Sequence, residues 1–194
     1  MSVVRLALVS TMSIQSIATA STVTLSAIAP LVAAAIGMPS SFIGTYVCFI
    51  YIGAAFAAVA GGTMVTRYGG IHVSQGCLIL AAIGLMLSAV ANFWCICLGG
   101  LLLGLSYGPI TPASSDILAH TVPKERMGFV FSLKQTAVPL GSALAGFIVP
   151  SVALWANNWQ AGPHVMAIFA LSVALLVLYH RSSLDDHFDP RSRF

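Results

Sequence analysis

Six apolar stretches, each long enough to cross a bilayer, follow one another with short connections. A spanning helix needs about 20 mostly apolar residues, and the chain supplies them at roughly 11–36, 42–65, 71–91, 93–119, 129–154 and 163–179. Inside hydrocarbon each backbone amide must be satisfied within its own segment, so such runs fold as helices. The expected fold is therefore an all-α membrane protein, in which residues 1–180 form one six-helix transmembrane bundle. Residues 181–194, "RSSLDDHFDPRSRF", read as a short, disordered cytoplasmic tail. Charged residues make up 7% of the chain and hydrophobic ones 58%, whereas soluble domains run near a quarter charged. The first run is too long and too rich in Ser and Thr for a signal peptide, so it counts as the first span.

The basic residues give an orientation, because cytoplasmic loops hold the excess of Lys and Arg. Arg5, Arg67, Lys124, Arg126, Arg181, Arg191 and Arg193 all fall on one side of a six-span chain, and the intervening loops "GMPSS", "AN" and "WANNWQAGPH" carry neither Lys nor Arg. Both termini are then expected to be cytoplasmic. Trp94, Trp155 and Trp159 fall at the opposite ends of the spans, where aromatic rings favour the headgroup layer. The formal charge of +3 follows from this topology, and no basic stripe interleaved with aromatics exists to track a nucleic acid. The partners expected on that side are membrane lipids. Cys48, Cys77, Cys95 and Cys97 have neither disulfide nor zinc-site spacing, and no cofactor, metal or catalytic residue is called for.

Spans one, two, four and five carry small and polar residues, while three ("CLILAAIGLMLSAVA") and six ("VMAIFALSVALLVL") are almost purely aliphatic and are expected to face lipid. This pattern occurs twice, which suggests two three-helix repeats. Small residues four apart mark close helix contacts: Gly53, Ala57 and Gly61 in span two, Gly100, Gly104 and Gly108 in span four, Gly141 and Ala145 in span five. Pro109 and Pro112 should bend or break span four, leaving carbonyls to be satisfied elsewhere.

A few polar residues stand out against this background. Gln15, Thr19, Thr22 and Ser26 share one face of span one; hydroxyls can bond their own backbone, but the Gln15 amide needs several partners. Lys134 lies about 9 Å into span five at 1.5 Å per residue. Its stem either snorkels to the interface or holds a positive charge in the interior beside Gln135 and Thr136, where it would favour an anionic solute. Asp116, near the inner end of span four, either pairs with Lys134 or carries a proton, or it is merely interfacial. "GLSYG", Gly104 to Gly108, fits a serine-nucleophile pattern, yet it lies within a glycine-rich span without the strand-to-helix turn that such an elbow needs.

The stretch "GGTMVTRYGG" resembles the loop signature of the major facilitator superfamily (MFS), in which a Gly leads to an Asp-Arg pair and then a Gly followed by basic residues. Gly62, Arg67 and Gly69 match; Thr66 stands at the acidic position, and Gly70 and Ile71 at the basic ones. "APLVAAAIGMPSSFIGTYVCFIYIGAAF" resembles the family's passage from helix one to two. "VPKERMGFVFSLKQTAVPLGSALAGFIVP" resembles its passage from four to five, and is similar to a bacterial subgroup with Lys-Gln-Thr and Val-Pro in helix five.

The resemblance implies an MFS-like half, a six-helix bundle of a secondary transporter in a bacterial inner membrane. It implies a small-molecule solute, a site lined by Gln15, Thr19, Thr22, Tyr107, Thr111, Lys134 and Gln135, and a gating loop of Gly62, Arg67 and Gly69. Family members have two six-helix bundles with the path between them, so transport would require a second bundle, from a homodimer or a separate chain. The alternatives are a truncated or non-transporting membrane protein and, more remotely, an intramembrane serine protease using Ser106.

Overall fold

A computed structural model describes residues 3–179; the expectations for the tail, with Arg181, Arg191 and Arg193, lie outside them. Among the described residues the chain is helical with no strand. The helices are α1 (Val3–Ala27), α2 (Ala29–Ile36), α3 (Phe42–Tyr68), α4 (Gly70–Ser88), α5 (Phe93–Tyr107), α6 (Ile110–Thr121), α7 (Met127–Gln135), α8 (Ala137–Trp155) and α9 (Ala161–Tyr179). Six segments are long and apolar enough to cross a membrane: Val3–Ala27, Phe42–Tyr68, Gly70–Ser88, Phe93–Thr121, Lys124–Trp155 and Ala161–Tyr179.

Three of the expected spans are broken, each beside a proline. Span one begins at Val3 rather than near Thr11 and stops at Ala27, because Pro30 opens α2 without an N–H to continue the ladder. α2 then ends on Gly37, whose φ of 66° is the left-handed cap that glycine adopts at no cost. Span four divides at Gly108 and Pro109 into α5 and α6. Span five divides at Thr136, where the Thr136 amide turns back to the Leu133 carbonyl at 3.1 Å. Pro139, in the first turn of α8, offers no N–H to the carbonyl of Gln135 four residues earlier.

Between these breaks, backbone lies on backbone. A Cβ added at Gly104 would strike the Ile50 carbonyl, one at Gly53 the Leu101 carbonyl and one at Gly108 the Ala54 carbonyl, so α3 and α5 mesh along a continuous glycine seam. Gly84 and Gly99 do the same between α4 and α5. On the other side of the bundle Gly141 sits on the Ser16 carbonyl, and the Ser16 hydroxyl donates to the Ala137 carbonyl at 3.1 Å. Lipid supplies no hydrophobic drive for association, so this approach gains dispersion contacts directly.

The packing maps onto itself when spans one and four, two and five, and three and six are exchanged. Span one packs on five as span four packs on two, and span one on six as span four on three, while the pairs one with four and three with six transform into themselves. Spans one and four run in opposite directions, so the two three-helix units form an inverted repeat.

The expectation that spans three and six face lipid holds poorly. Over an apolar stretch of 18 residues in each span, 56% are buried in span three and 39% in span six, against 22% in span two, 28% in span five and 50% in spans one and four. Aliphatic residues fit against protein as well as against hydrocarbon, and span three is held between spans four and six.

Candidate functional site

The polar residues of α1 separate into two kinds. Thr19 donates to the Gln15 carbonyl at 2.9 Å and Thr22 to the Thr19 carbonyl at 2.8 Å, so both hydroxyls are spent on their own helix. Gln15 is different. Its side chain is 2% exposed, its Nε2 meets Tyr107 Oη on α5 at 3.5 Å, and its Oε1 is buried with no partner. An orphaned amide atom costs about 1–3 kcal/mol relative to a satisfied one.

One helical turn along span four lies the other polar centre. Lys134, the last basic residue of α7, is 2% exposed, and its Nζ donates to Ser115 Oγ at 3.2 Å and to the Thr111 carbonyl at 3.4 Å. That carbonyl also accepts the hydroxyls of Ser114 at 3.1 Å and Ser115 at 2.8 Å. The Phe131 ring lies 5.9 Å from the ammonium. Of the ammonium's three donors two are engaged, and among the described residues no carboxylate pairs with it. Of the residues that hold or flank it, Thr111 and Gln135 are exposed and Ser115 is half-buried, so polar groups continue from the buried cation to the surface of the bundle; half-buried Tyr107 stands one turn before Thr111.

Asp116 is not the partner of Lys134. Its carboxylate is 3.5 Å from His120 Nδ1, whose ring also contacts the Asp116 carbonyl oxygen at 2.9 Å. Successive helical residues diverge by about 100°, so Thr111 and Ser115 share the face toward Lys134, while Asp116 and His120 share the next. Sequence reasoning missed Ser115; its signal is the position four residues after Thr111, on the same face.

The loop residues divide as well. Gly69 has φ 85°, a conformation for glycine, and joins α3 to α4 without a linker. Arg67 is exposed and lies 5.4 Å from the ring of Tyr68. Gly62 faces open space, whereas its neighbour Gly61 packs on Pro109 and Pro112, so the buried contact belongs to the residue before the motif glycine. Ser106 donates to the Leu103 carbonyl at 2.7 Å, an ordinary helix contact with no histidine in its hydrogen bonding.

A cavity of about 680 Å³ opens between α3 and α4 with Leu105 and Pro109 at its floor. Its walls are apolar apart from Tyr68 and His72, and it includes none of the residues around Gln15 or Lys134.

An inverted repeat of apolar helices with a buried amide and a buried cation between spans one, four and five defines a multi-pass membrane protein with a polar interior. The sequence matches the family model of the Major Facilitator Superfamily over residues 11–193, and the chain belongs to that superfamily of membrane transporters. No individual curated protein matches it.

Proposed function

We propose that the chain transports a small anionic solute, bound between spans one, four and five, and that a second six-helix bundle closes the path. Lys134 carries this reading. A buried ammonium without a carboxylate costs several kcal/mol, and an anion entering from the polar face would supply the missing charge. Thr111 and Ser115 touch Lys134, and Gln135 follows it in the chain; Tyr107, one turn before Thr111, and Gln15, Thr19 and Thr22 of α1 complete the proposed lining.

The second bundle is argued from what lies uncovered. Gly62, Gly128 and Gly146 meet nothing within van der Waals reach of a Cβ, and Ser132, Gln135, Thr136 and Ser142 are exposed along span five. Amide and hydroxyl groups within a span usually face protein or water rather than lipid. A second copy or a separate chain facing spans two and five would cover them, and rocking of the two bundles about the site would give alternating access. In this reading the basic ends, with Arg67, Lys124 and Arg126, lie on the cytoplasmic side of a bacterial inner membrane.

The test is counterflow into proteoliposomes loaded with a panel of small organic anions. Uptake of at least one of them, lost in Lys134→Gln, is the expected result. Uptake that is indifferent to both Lys134→Gln and Lys134→Ala would remove the anion from the reading.

A further inference from the structure

Two buried polar groups with unspent capacity line one side of span four. We infer that the solute of this site is a monoanion carrying a further, uncharged hydrogen-bonding group: the anion meets Lys134, and the neutral group meets Gln15. This inference rests on the reading of Lys134 as an anion site and adds the contact at Gln15.

The spacing follows from span four. Tyr107, which holds Gln15, and Thr111, whose carbonyl holds Lys134, are four residues apart across the Gly108–Pro109 break. One turn of helix rises about 5.4 Å, so the two residues that anchor these centres lie about one turn apart along span four, and a single small solute can reach both. The Gln15 amide has one atom on Tyr107 and one orphaned, and turning the amide over exchanges which atom is orphaned without satisfying both. A hydroxyl, which both donates and accepts, suits either orientation.

Charge narrows the class further. The described carboxylates are Asp116, which is paired with His120, and Glu125, which is exposed on the turn Lys124–Arg126. Neither lies in the hydrogen bonding of Gln15 or Tyr107, so an ammonium on the solute's far end would be buried without a counter-charge. Among the described residues Lys134 is the one buried cation, so an additional carboxylate would be equally unpaired. A hydroxy acid fits where the amino acid and the diacid of the same length do not.

The experiment is equilibrium binding to the purified chain in lipid nanodiscs, with four probes of one length: pentanoate, 5-hydroxypentanoate, glutarate and 5-aminopentanoate. The expected result is that 5-hydroxypentanoate binds at least tenfold tighter than each of the others. In Gln15→Leu its advantage over pentanoate should disappear, and in Lys134→Gln binding of both should weaken. Equal binding of pentanoate and 5-hydroxypentanoate by the unaltered chain, still dependent on Lys134, would overturn the Gln15 contact and leave the anion site standing. Absence of Lys134-dependent binding for all four would overturn both. The comparison within the unaltered chain does not depend on how any variant folds.

Discussion

Lys134 opposes its own fold. Removing an uncompensated buried charge relieves desolvation, so Lys134→Met should stabilise the chain by about 1–3 kcal/mol, seen as a higher unfolding temperature in micelles, while anion binding is lost. A lower unfolding temperature would mean that the bonds to Ser115 and Thr111 outweigh the cost of burial. Glycine positions give the opposite test. Gly104→Ala places a methyl on the Ile50 carbonyl and should destabilise by about 1–3 kcal/mol. Gly69→Ala forces an L-residue to φ 85° and ψ 149°, a region nearly reserved for glycine, at a cost of about 1–3 kcal/mol. Both are read in the same unfolding assay. At this scale the sequence was only partly legible. Its composition marks Lys134 and Gln15 as out of place in lipid, but Ser115 and the separation of Asp116 from Lys134 depend on how two helices are rotated against each other, which no spacing within one span encodes.

The helices themselves were legible because hydropathy and length are properties of contiguous sequence. Their breaks were less so. Pro109 and Pro112 announce the division of span four, yet Pro30 and Pro139 act by offering no N–H to the carbonyls of Ser26 and Gln135, and the break therefore falls some residues before the proline. Pro139→Ala should restore the missing bond and straighten α7 onto α8. Spin labels at Ser132 and Ser142 would then report a sharper distribution near the roughly 15 Å axial rise of ten helical residues. Lys134-dependent binding should fall as Lys134 moves off Ser115. The burial of span three against the exposure of span two was not legible for another reason: apolar side chains serve lipid and protein contacts alike, so an aliphatic helix does not declare which of the two it faces.

At the scale of the whole molecule, the inverted repeat sets what is covered and what is not. Spans two and five are equivalent under the repeat, and both are the less buried members of their three-helix units. Gly146→Leu adds bulk where nothing lies within contact, so it should leave the unfolding temperature of the separated chain nearly unchanged. If a second bundle covers this face, the same substitution should lower the native mass of the complex extracted into nanodiscs to that of one 20.2 kDa chain. An unchanged native mass would place the partner contact elsewhere or remove it.

Because span four is two rods joined at Gly108 and Pro109, its halves need not move together. α5 is toothed into α3 and α4 by glycines that leave no clearance, while α6 carries the Thr111 carbonyl and the Ser115 hydroxyl that hold the ammonium. A small tilt of α6 about that joint would draw both contacts off Lys134 and leave the toothed half seated. The latch on the cation can thus be worked by a lever of about three turns, whose movement is resisted where Pro112 seats on Gly61 and Ala113 on Gly70.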